Sequence, residues 1–288
     1  MSNFFPHIID IELTNRCNLN CIMCPRYPQR QNLGDMSEDL LTKILDETLH
    51  RPQKVYRLHG IGEPLLAPTL KTAINRIMSS SNNHFVDFIT NGQLLTRDMG
   101  KFLLYQQLSQ ITISLGAATA TTYQKIRGKT NFSAIVRNII TLIDENARLG
   151  SRSKIIVQLV KVDEATDEIE DFINFWRKFP VEIEIWHDFR DGRSNIDPAC
   201  EKDLSPCKHL YEYIGITWHG EVRICCQDPT LMYRVGEMSK NSIEEIYNCP
   251  QMNELRDIHQ RGTLDDMPIC QYCSFRDDSH IYFNAVFH

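Results

Sequence analysis

The sequence predicts an α/β fold built on six parallel strands, followed by a small cysteine-rich C-terminal unit. Two observations carry this. Six short apolar runs, Ile8–Thr14, Lys54–His59, Phe85–Thr90, Gln110–Leu115, Lys154–Val160 and Glu182–His187, alternate with amphipathic stretches such as Ser37–Leu49, Thr69–Ser79, Ala134–Leu149 and Ala165–Lys178. Strand and helix in alternation imply parallel strands joined by right-handed crossovers. After Asp197-Pro198-Ala199 that alternation stops and cysteines return, which divides the chain into residues 1–196 and 197–288.

Taken in order, the first strand alternates. Ile9, Ile11 and Leu13 point one way, and Asp10, Glu12 and Thr14 the other. The apolar face is expected to meet the helices, so Asp10 and Glu12 face the interior of the curved sheet. Ser37 before Glu38-Asp39 reads as an N-cap with an acidic first turn. In the second strand Arg57 and His59 share a face, and the run ends in Gly60-Ile61-Gly62-Glu63-Pro64. Glycines there let backbone approach a ligand closely, and Glu63 offers an acceptor for an ammonium group. The third and fourth runs end in Ile89-Thr90-Asn91-Gly92 and Ile113-Ser114-Leu115, and Tyr123–Gly128 follows. His187, Asp188 and Arg190 follow the sixth run. An interior lined by Asp, Glu, Arg and His suits a polar substrate rich in hydroxyls or amines. The alternative is that these charges pair with one another, and that the residues after the sixth strand are ordinary loop polarity.

Composition narrows the classes. The chain of 288 residues is 42% hydrophobic and 24% charged, as in a soluble globular protein, and its net charge of −6 gives no electrostatic footprint for nucleic acid. No run of eighteen apolar residues is present, and the start Met1–Pro6 lacks a signal-peptide pattern, so neither membrane insertion nor export is expected. Ten cysteines in such a chain favour metal or redox chemistry over disulfides, and the cytoplasm is the expected compartment.

Cys17, Cys21 and Cys24 are spaced C-x3-C-x2-C, tight enough for one loop to wrap a cubane cluster through three thiolates. A [4Fe–4S] cluster takes four cysteines, so three leave one iron open; structural or zinc-binding cysteines are the alternative. With the segments above, the pattern resembles the radical SAM superfamily, and the resemblance spans roughly residues 8–275. It implies an open, TIM-like (β/α)6 partial barrel with its site at the carboxyl ends of the strands. It further implies that S-adenosylmethionine binds the open iron. Gly60, Gly62, Glu63, Asn91, Ser114 and Arg127 would contact that cofactor, and Met23, where many relatives carry an aromatic residue, would pack near its adenine.

The C-terminal cysteines form a second pattern. Cys207, Gly220 and Cys225 are followed by Cys270-Gln271-Tyr272-Cys273, with Gly220–Cys225 reading as part of a hairpin and Met252–His259 as a helix. This is similar to the short form of the SPASM extension, the twitch domain. It implies one auxiliary [4Fe–4S] cluster held by Cys207, Cys225, Cys270 and Cys273; four cysteines on zinc remain the alternative. Cys200, Cys226 and Cys249 are left over. Each reads by default as a small buried hydrophobe, Cys226 packing beside a cluster ligand. Cys249, in Ile246–Pro250 where relatives carry a small residue, is the candidate catalytic thiol.

The resemblance implies reductive cleavage of S-adenosylmethionine to a 5′-deoxyadenosyl radical that removes a hydrogen atom from an unactivated C–H bond. A flavodoxin- or ferredoxin-type protein would supply the electron. In a dehydrogenase the substrate radical is deprotonated and its electron passes to the auxiliary cluster. In an epimerase a thiol returns a hydrogen atom to the other face. SPASM relatives usually read Ser-Leu-Asp-Gly where this chain has Ser114-Leu115-Gly116-Ala117, so an Asp able to act as a base is absent, and epimerisation is favoured. The first strand begins near Ile8, leaving no room for a leader-peptide module within this sequence. A sugar, cyclitol or aminoglycoside is therefore expected rather than a peptide, as in the 2-deoxy-scyllo-inosamine dehydrogenase and neomycin epimerase group. Glu12, His59, His187 and Asp188 are the candidate substrate contacts.

Overall fold

The computed structural model describes residues 4–24, 32–128, 131–187, 206–265, 267–271 and 273. Six parallel strands, β1 (Ile8–Ile11), β2 (Val55–Leu58), β3 (Phe85–Thr90), β4 (Gln110–Ser114), β5 (Lys154–Lys161) and β6 (Glu182–His187), lie side by side in sequence order. Between them run α1 (Glu38–Thr48), α2 (Leu70–Met78), α3 (Arg97–Tyr105), α4 (Ala120–Arg127), α5 (Phe132–Arg148) and α6 (Ile169–Trp176). The expected α/β partial barrel is present. The boundary at 196/197, Asp188 and Cys200 lie outside the described residues, as does the side chain of His187.

The helices form where the sequence places their caps. Ser37 accepts a hydrogen bond from the Leu40 amide, and α1 then buries Leu41, Ile44 and Leu45 against the sheet. Long α5 buries Ile135, Ile139, Leu142 and Ile143 at helical spacing. Between the parallel strands, two helices had no counterpart among the sequence expectations: α3, capped by Thr96, and α4, capped by Thr119. The outward strand residues Ile9, Ile11, Tyr56, Leu58 and Phe88 are wholly buried beneath the helices. The Tyr56 hydroxyl donates to Thr48 at 2.8 Å, which satisfies that buried polar atom.

The C-terminal unit contains α7 (His209–Glu212), β7 (Tyr213–Ile216), β8 (Glu221–Arg223), β9 (Arg234–Glu237), α8 (Ile243–Tyr247) and α9 (Pro250–Arg261). The expected hairpin is β7–β8, turning at Thr217–Gly220, with Gly220 at φ +93°. Beyond that expectation, β7 pairs in parallel with β1, so a single nine-stranded sheet runs β6-β5-β4-β3-β2-β1-β7-β8-β9. The C-terminal unit thus extends the edge of the barrel.

Register then assembles the interior. Asp10 is the partner of Arg57, Arg57 of Asp87, and Asp87 of Gln110, so four polar side chains form one row across β1–β4. On the other side of Asp10 stands Gly215, itself paired with Arg223. A Cβ at Gly215 would lie 2.8 Å from the Arg223 side chain and 2.7 Å from the Tyr213 hydroxyl. That glycine leaves the gap through which Arg223 reaches Asp10.

Candidate active site

A cavity of about 380 Å³ occupies the concave side of the sheet. It runs from the loops beyond the strands' carboxyl ends to Val55 and Phe85, the first residues of β2 and β3. Its upper part is lined by Cys17, Cys21, Cys24, Met23 and the Gly60–Glu63 loop, together with Asn91, Ser114 and Arg127. Every residue expected to touch the cluster or its nucleotide partner therefore converges on one cavity.

Each of these side chains is held by neighbours. Asn91 Nδ2 donates to Asn18 at 2.9 Å and lies 3.9 Å from Cys17 Sγ. Arg127 donates to Cys21 Sγ at 3.5 Å and to the Ser114 hydroxyl at 3.0 Å. N–H donors aimed at cluster-ligating sulfurs orient them and tune the metal they carry. Arg127 Nε is buried with no partner, a donor left for an anionic ligand group such as a carboxylate. Three convergent thiols with N–H donors beside them, and an unspent guanidinium next to them, fit a cluster and an amino-acid carboxylate.

Two expectations change in their physical reason. Glu63 accepts from the Thr90 hydroxyl at 2.7 Å, the Asn91 amide at 2.8 Å and the Leu65 amide at 3.1 Å. With most of its acceptor capacity taken, its carboxylate ties the β2 loop to the end of β3. Burial pushes its pKa up, against those three hydrogen bonds. The loop glycines are required by the chain just beyond β1. A Cβ at Gly62 would lie 2.1 Å from the Thr14 carbonyl oxygen, and one at Gly60 would lie 2.6 Å from the Glu12 side chain. Gly62→Ala must therefore push the loop off the segment that follows β1. It is expected to weaken S-adenosylmethionine binding about 10–100-fold, from the ~1–3 kcal/mol cost of overpacking, as checked by equilibrium dialysis.

Gly116 also has a steric reason. It sits at φ +80°, and a Cβ there would lie 2.7 Å from an Arg127 terminal nitrogen. The glycine makes room for the guanidinium. Arg127→Lys loses the planar fork that reaches Cys21 and Ser114 together, and its expected result is about tenfold weaker cofactor binding with iron content unchanged.

Lower in the cavity the polar row closes on itself. His59 Nε2 lies 3.3 Å from Asp10 Oδ2, the Tyr213 hydroxyl donates to that oxygen at 2.7 Å, and Arg223 stands 3.8 Å from it. Arg57 stands 3.8 Å from Asp87, and Gln110 donates to Asp87 at 3.0 Å. Burial lowers the pKa of His59, with Asp10 opposing the shift, which favours the neutral imidazole. Glu184, at the far wall, accepts from Trp186 at 2.8 Å, and burial raises its pKa. The charges thus pair with one another and still line the cavity: Arg57, His59, Asp87, Glu184 and Arg223 all do. Asp87, Gln110, Glu184 and Arg223 are additions to the sequence expectations; period-two alternation within β3 was the available signal for Asp87.

Glu12 is a correction. It is 2% exposed and accepts from the Ile61 amide at 2.9 Å and more weakly from the Trp218 amide at 3.5 Å, so it props the glycine loop from behind and is not among the cavity-lining residues.

Cys249 is a second correction. It is the N-cap of α9, where its sulfur accepts from the Met252 amide at 3.4 Å and lies 3.8 Å from the Val235 carbonyl, and it is not among the residues lining the cavity. A cysteine directly before Pro250 at the first helical position serves the helix start.

A second cavity, in the C-terminal unit, is lined by Cys207, Cys225, Cys270 and Cys273 with His209 and His259. Burial lowers the pKa of His209 to about 4, so its ring is neutral. All four thiols of the expected auxiliary set meet there. Cys226 is not in that cavity; it lines the first one.

The family model of the radical SAM superfamily matches residues 11–175, and that of the SPASM iron–sulfur cluster-binding domain matches residues 207–274. The chain belongs to the radical SAM superfamily. It uses S-adenosylmethionine with a [4Fe–4S] cluster, and its C-terminal unit carries an auxiliary iron–sulfur cluster. Among curated proteins it is similar to the mycofactocin maturase MftC of Mycobacterium tuberculosis, 31% identical over 214 residues, 73% of this chain and 52% of that protein. It is also similar to a GTP 3′,8-cyclase of Clostridium acetobutylicum, 33% identical over 178 residues, 60% of this chain and 53% of that protein. The chain thus spans about half the length of each. Among solved structures, BtrN in complex with AdoMet and 2-DOIA superposes with a TM-score of 0.65 at 16% identity, covering 94% of both chains. Native anSMEcpe with bound AdoMet gives 0.67 at 12% identity, covering 92% of this chain and 88% of that one. Both likenesses are of fold.

Proposed function

We propose that this enzyme abstracts a hydrogen atom from a C–H bond of a small polar substrate, a sugar, cyclitol or aminoglycoside, and epimerises a carbinol carbon. Cys17, Cys21 and Cys24 would hold the cluster, and Gly60, Gly62, Asn91, Ser114 and Arg127 would seat S-adenosylmethionine. Cys207, Cys225, Cys270 and Cys273 would hold the auxiliary cluster. When bound, the first cluster and S-adenosylmethionine supply the 5′-deoxyadenosyl radical that takes the hydrogen atom. The chain's own residues then position the substrate and shield the radical from competing donors.

The observation that carries this reading is the paired polar lining directly beneath the cofactor-binding loops, with Arg57, His59, Asp87, Glu184 and Arg223 facing one cavity. Such a lining offers donors and acceptors to the hydroxyl and amino groups of a substrate, between apolar walls that include Val55, Phe85 and Trp186. A hydrogen atom from a thiol completes the epimerisation. The second reading, oxidation of a secondary alcohol with the auxiliary cluster as electron acceptor, is favoured by the auxiliary site itself. A third, peptide modification, draws on neighbours whose structures hold a bound peptide or a precursor peptide. The electron donor is of the flavodoxin or ferredoxin class and the compartment the cytoplasm; no helix among the described residues is long and apolar enough to cross a membrane.

The test is substrate-dependent formation of 5′-deoxyadenosine by the anaerobically reconstituted enzyme, with dithionite as reductant. Cyclitols, amino sugars or aminoglycosides should stimulate it above the substrate-free rate, and short peptides should not. Stimulation by peptides alone would replace this reading with the third.

A further inference from the structure

Cys226 sits in the wall between the two cavities. Its sulfur, the sulfur of Cys225 and a ring nitrogen of His209 all lie within 4.8 Å of one another. Yet Cys225 faces the four-thiol cavity and Cys226 the substrate cavity. The chain bends after β8, and Asp228, fully buried, holds the following loop: its carboxylate accepts from the Met232 amide at 2.8 Å and the Tyr233 amide at 2.7 Å. The bend brings Cys226, Gln227 and Pro229 to the substrate cavity.

Within the substrate cavity the position of Cys226 is specific. It packs with Ile8, Val55, Phe85 and Tyr213, at or beside the amino ends of β1–β3. The cofactor-binding residues stand beyond the carboxyl ends of the same strands. Val55 and Gly60 are separated by about 16 Å of strand at ~3.3 Å per residue. A substrate lying between them meets the cofactor on one face and the Cys226 thiol on the other. Arg223, lining the same cavity, is 5% exposed and its Nε has no partner, an unspent donor at the level where a hydroxyl or carboxylate of such a substrate would lie.

We infer that Cys226 is the thiol that returns a hydrogen atom to the substrate radical, an assignment that rests on the epimerase reading above. The S–H bond breaks and a C–H bond forms on the face opposite the one that lost hydrogen, leaving a thiyl radical on Cys226. One electron from the flavodoxin- or ferredoxin-class donor and one solvent proton restore the thiol. The transfer is downhill because S–H is weaker than the C–H bond formed. Since the thiol proton exchanges with solvent, the returned atom carries the solvent isotope.

The experiment compares the reconstituted wild type with Cys226→Ala, Cys226→Ser and Cys249→Ala. Iron content and the low-temperature EPR spectra of both clusters are measured first. The variants at 226 should keep about eight iron per chain and both signals, and Cys226 in the loaded wild type should be alkylated by iodoacetamide. A fall in iron or a lost auxiliary signal would make Cys226 a cluster ligand and overturn the inference. In D2O the wild type should form epimer with one deuterium. Both variants at 226 should form 5′-deoxyadenosine and at least 100-fold less epimer, while Cys249→Ala epimerises normally. Epimerisation that survives at 226 and is lost at 249 overturns the inference and leaves the epimerase reading standing. A ketone from the wild type, free of solvent deuterium, overturns that reading itself.

Discussion

Replacing Cys17, Cys21 and Cys24 together by Ala is expected to abolish 5′-deoxyadenosine formation. The three thiols converge on the upper cavity, where Asn91 lies within reach of Cys17 and Arg127 of Cys21. Without them nothing in the loop can retain a cluster, because among the described residues no other cysteine lining that cavity stands at its upper end; Cys226 lies at the opposite one. Iron should fall from about eight to about four per chain, the remainder belonging to the C-terminal set. Replacing Cys207, Cys225, Cys270 and Cys273 should instead leave the first cluster's iron and some uncoupled cleavage. Iron near eight in the triple variant would show that the loop is not the ligand set.

The second large effect is on stability. Asp10 is wholly buried and gathers the Tyr213 hydroxyl, His59 and Arg223 around one carboxylate. Removing it takes from the Arg223 guanidinium, 6% exposed, the carboxylate it pairs with, and leaves Glu12 as the remaining carboxylate acting on it. A buried charge left wholly uncompensated costs about 3–5 kcal/mol, which sets the upper end of the effect here. Asp10→Ala should therefore lower the urea midpoint of the holoenzyme substantially. Asp10→Asn, which keeps the hydrogen bond but not the charge, should lie between. A change within about 0.5 kcal/mol, the range of an ordinary surface substitution, would show that Asp10 is not the anchor of the row.

What the chain's sequence makes legible follows from how local each cause is. The cysteine triad, the glycine loop and the six strands depend on spacing within a few residues or on period-two alternation, and all are where that spacing puts them. The pairing of Asp10 with Arg223 depends on β7 joining β1, a contact between residues more than two hundred positions apart, and on a missing Cβ at Gly215. Alternation inside one strand cannot reveal it. Cys226 is hidden for a similar reason. Arg223 and Cys226 are three apart, so in a continuous strand they would face opposite ways, and the bend after β8 brings both to one cavity. Cys249 had a local signal of the opposite kind, the proline after it, which marks a helix start. Gly116 reads in sequence as the loss of an acid and in space as clearance for Arg127.

The central claim is that a hydrogen atom leaves one face of a small polar substrate and returns from a thiol on the other. The most direct measurement is the mass and stereochemistry of the product formed by the wild-type enzyme in D2O. The account predicts an epimer heavier by one deuterium at the inverted carbon, with one 5′-deoxyadenosine formed per product. A ketone, or an epimer without solvent deuterium, would contradict it.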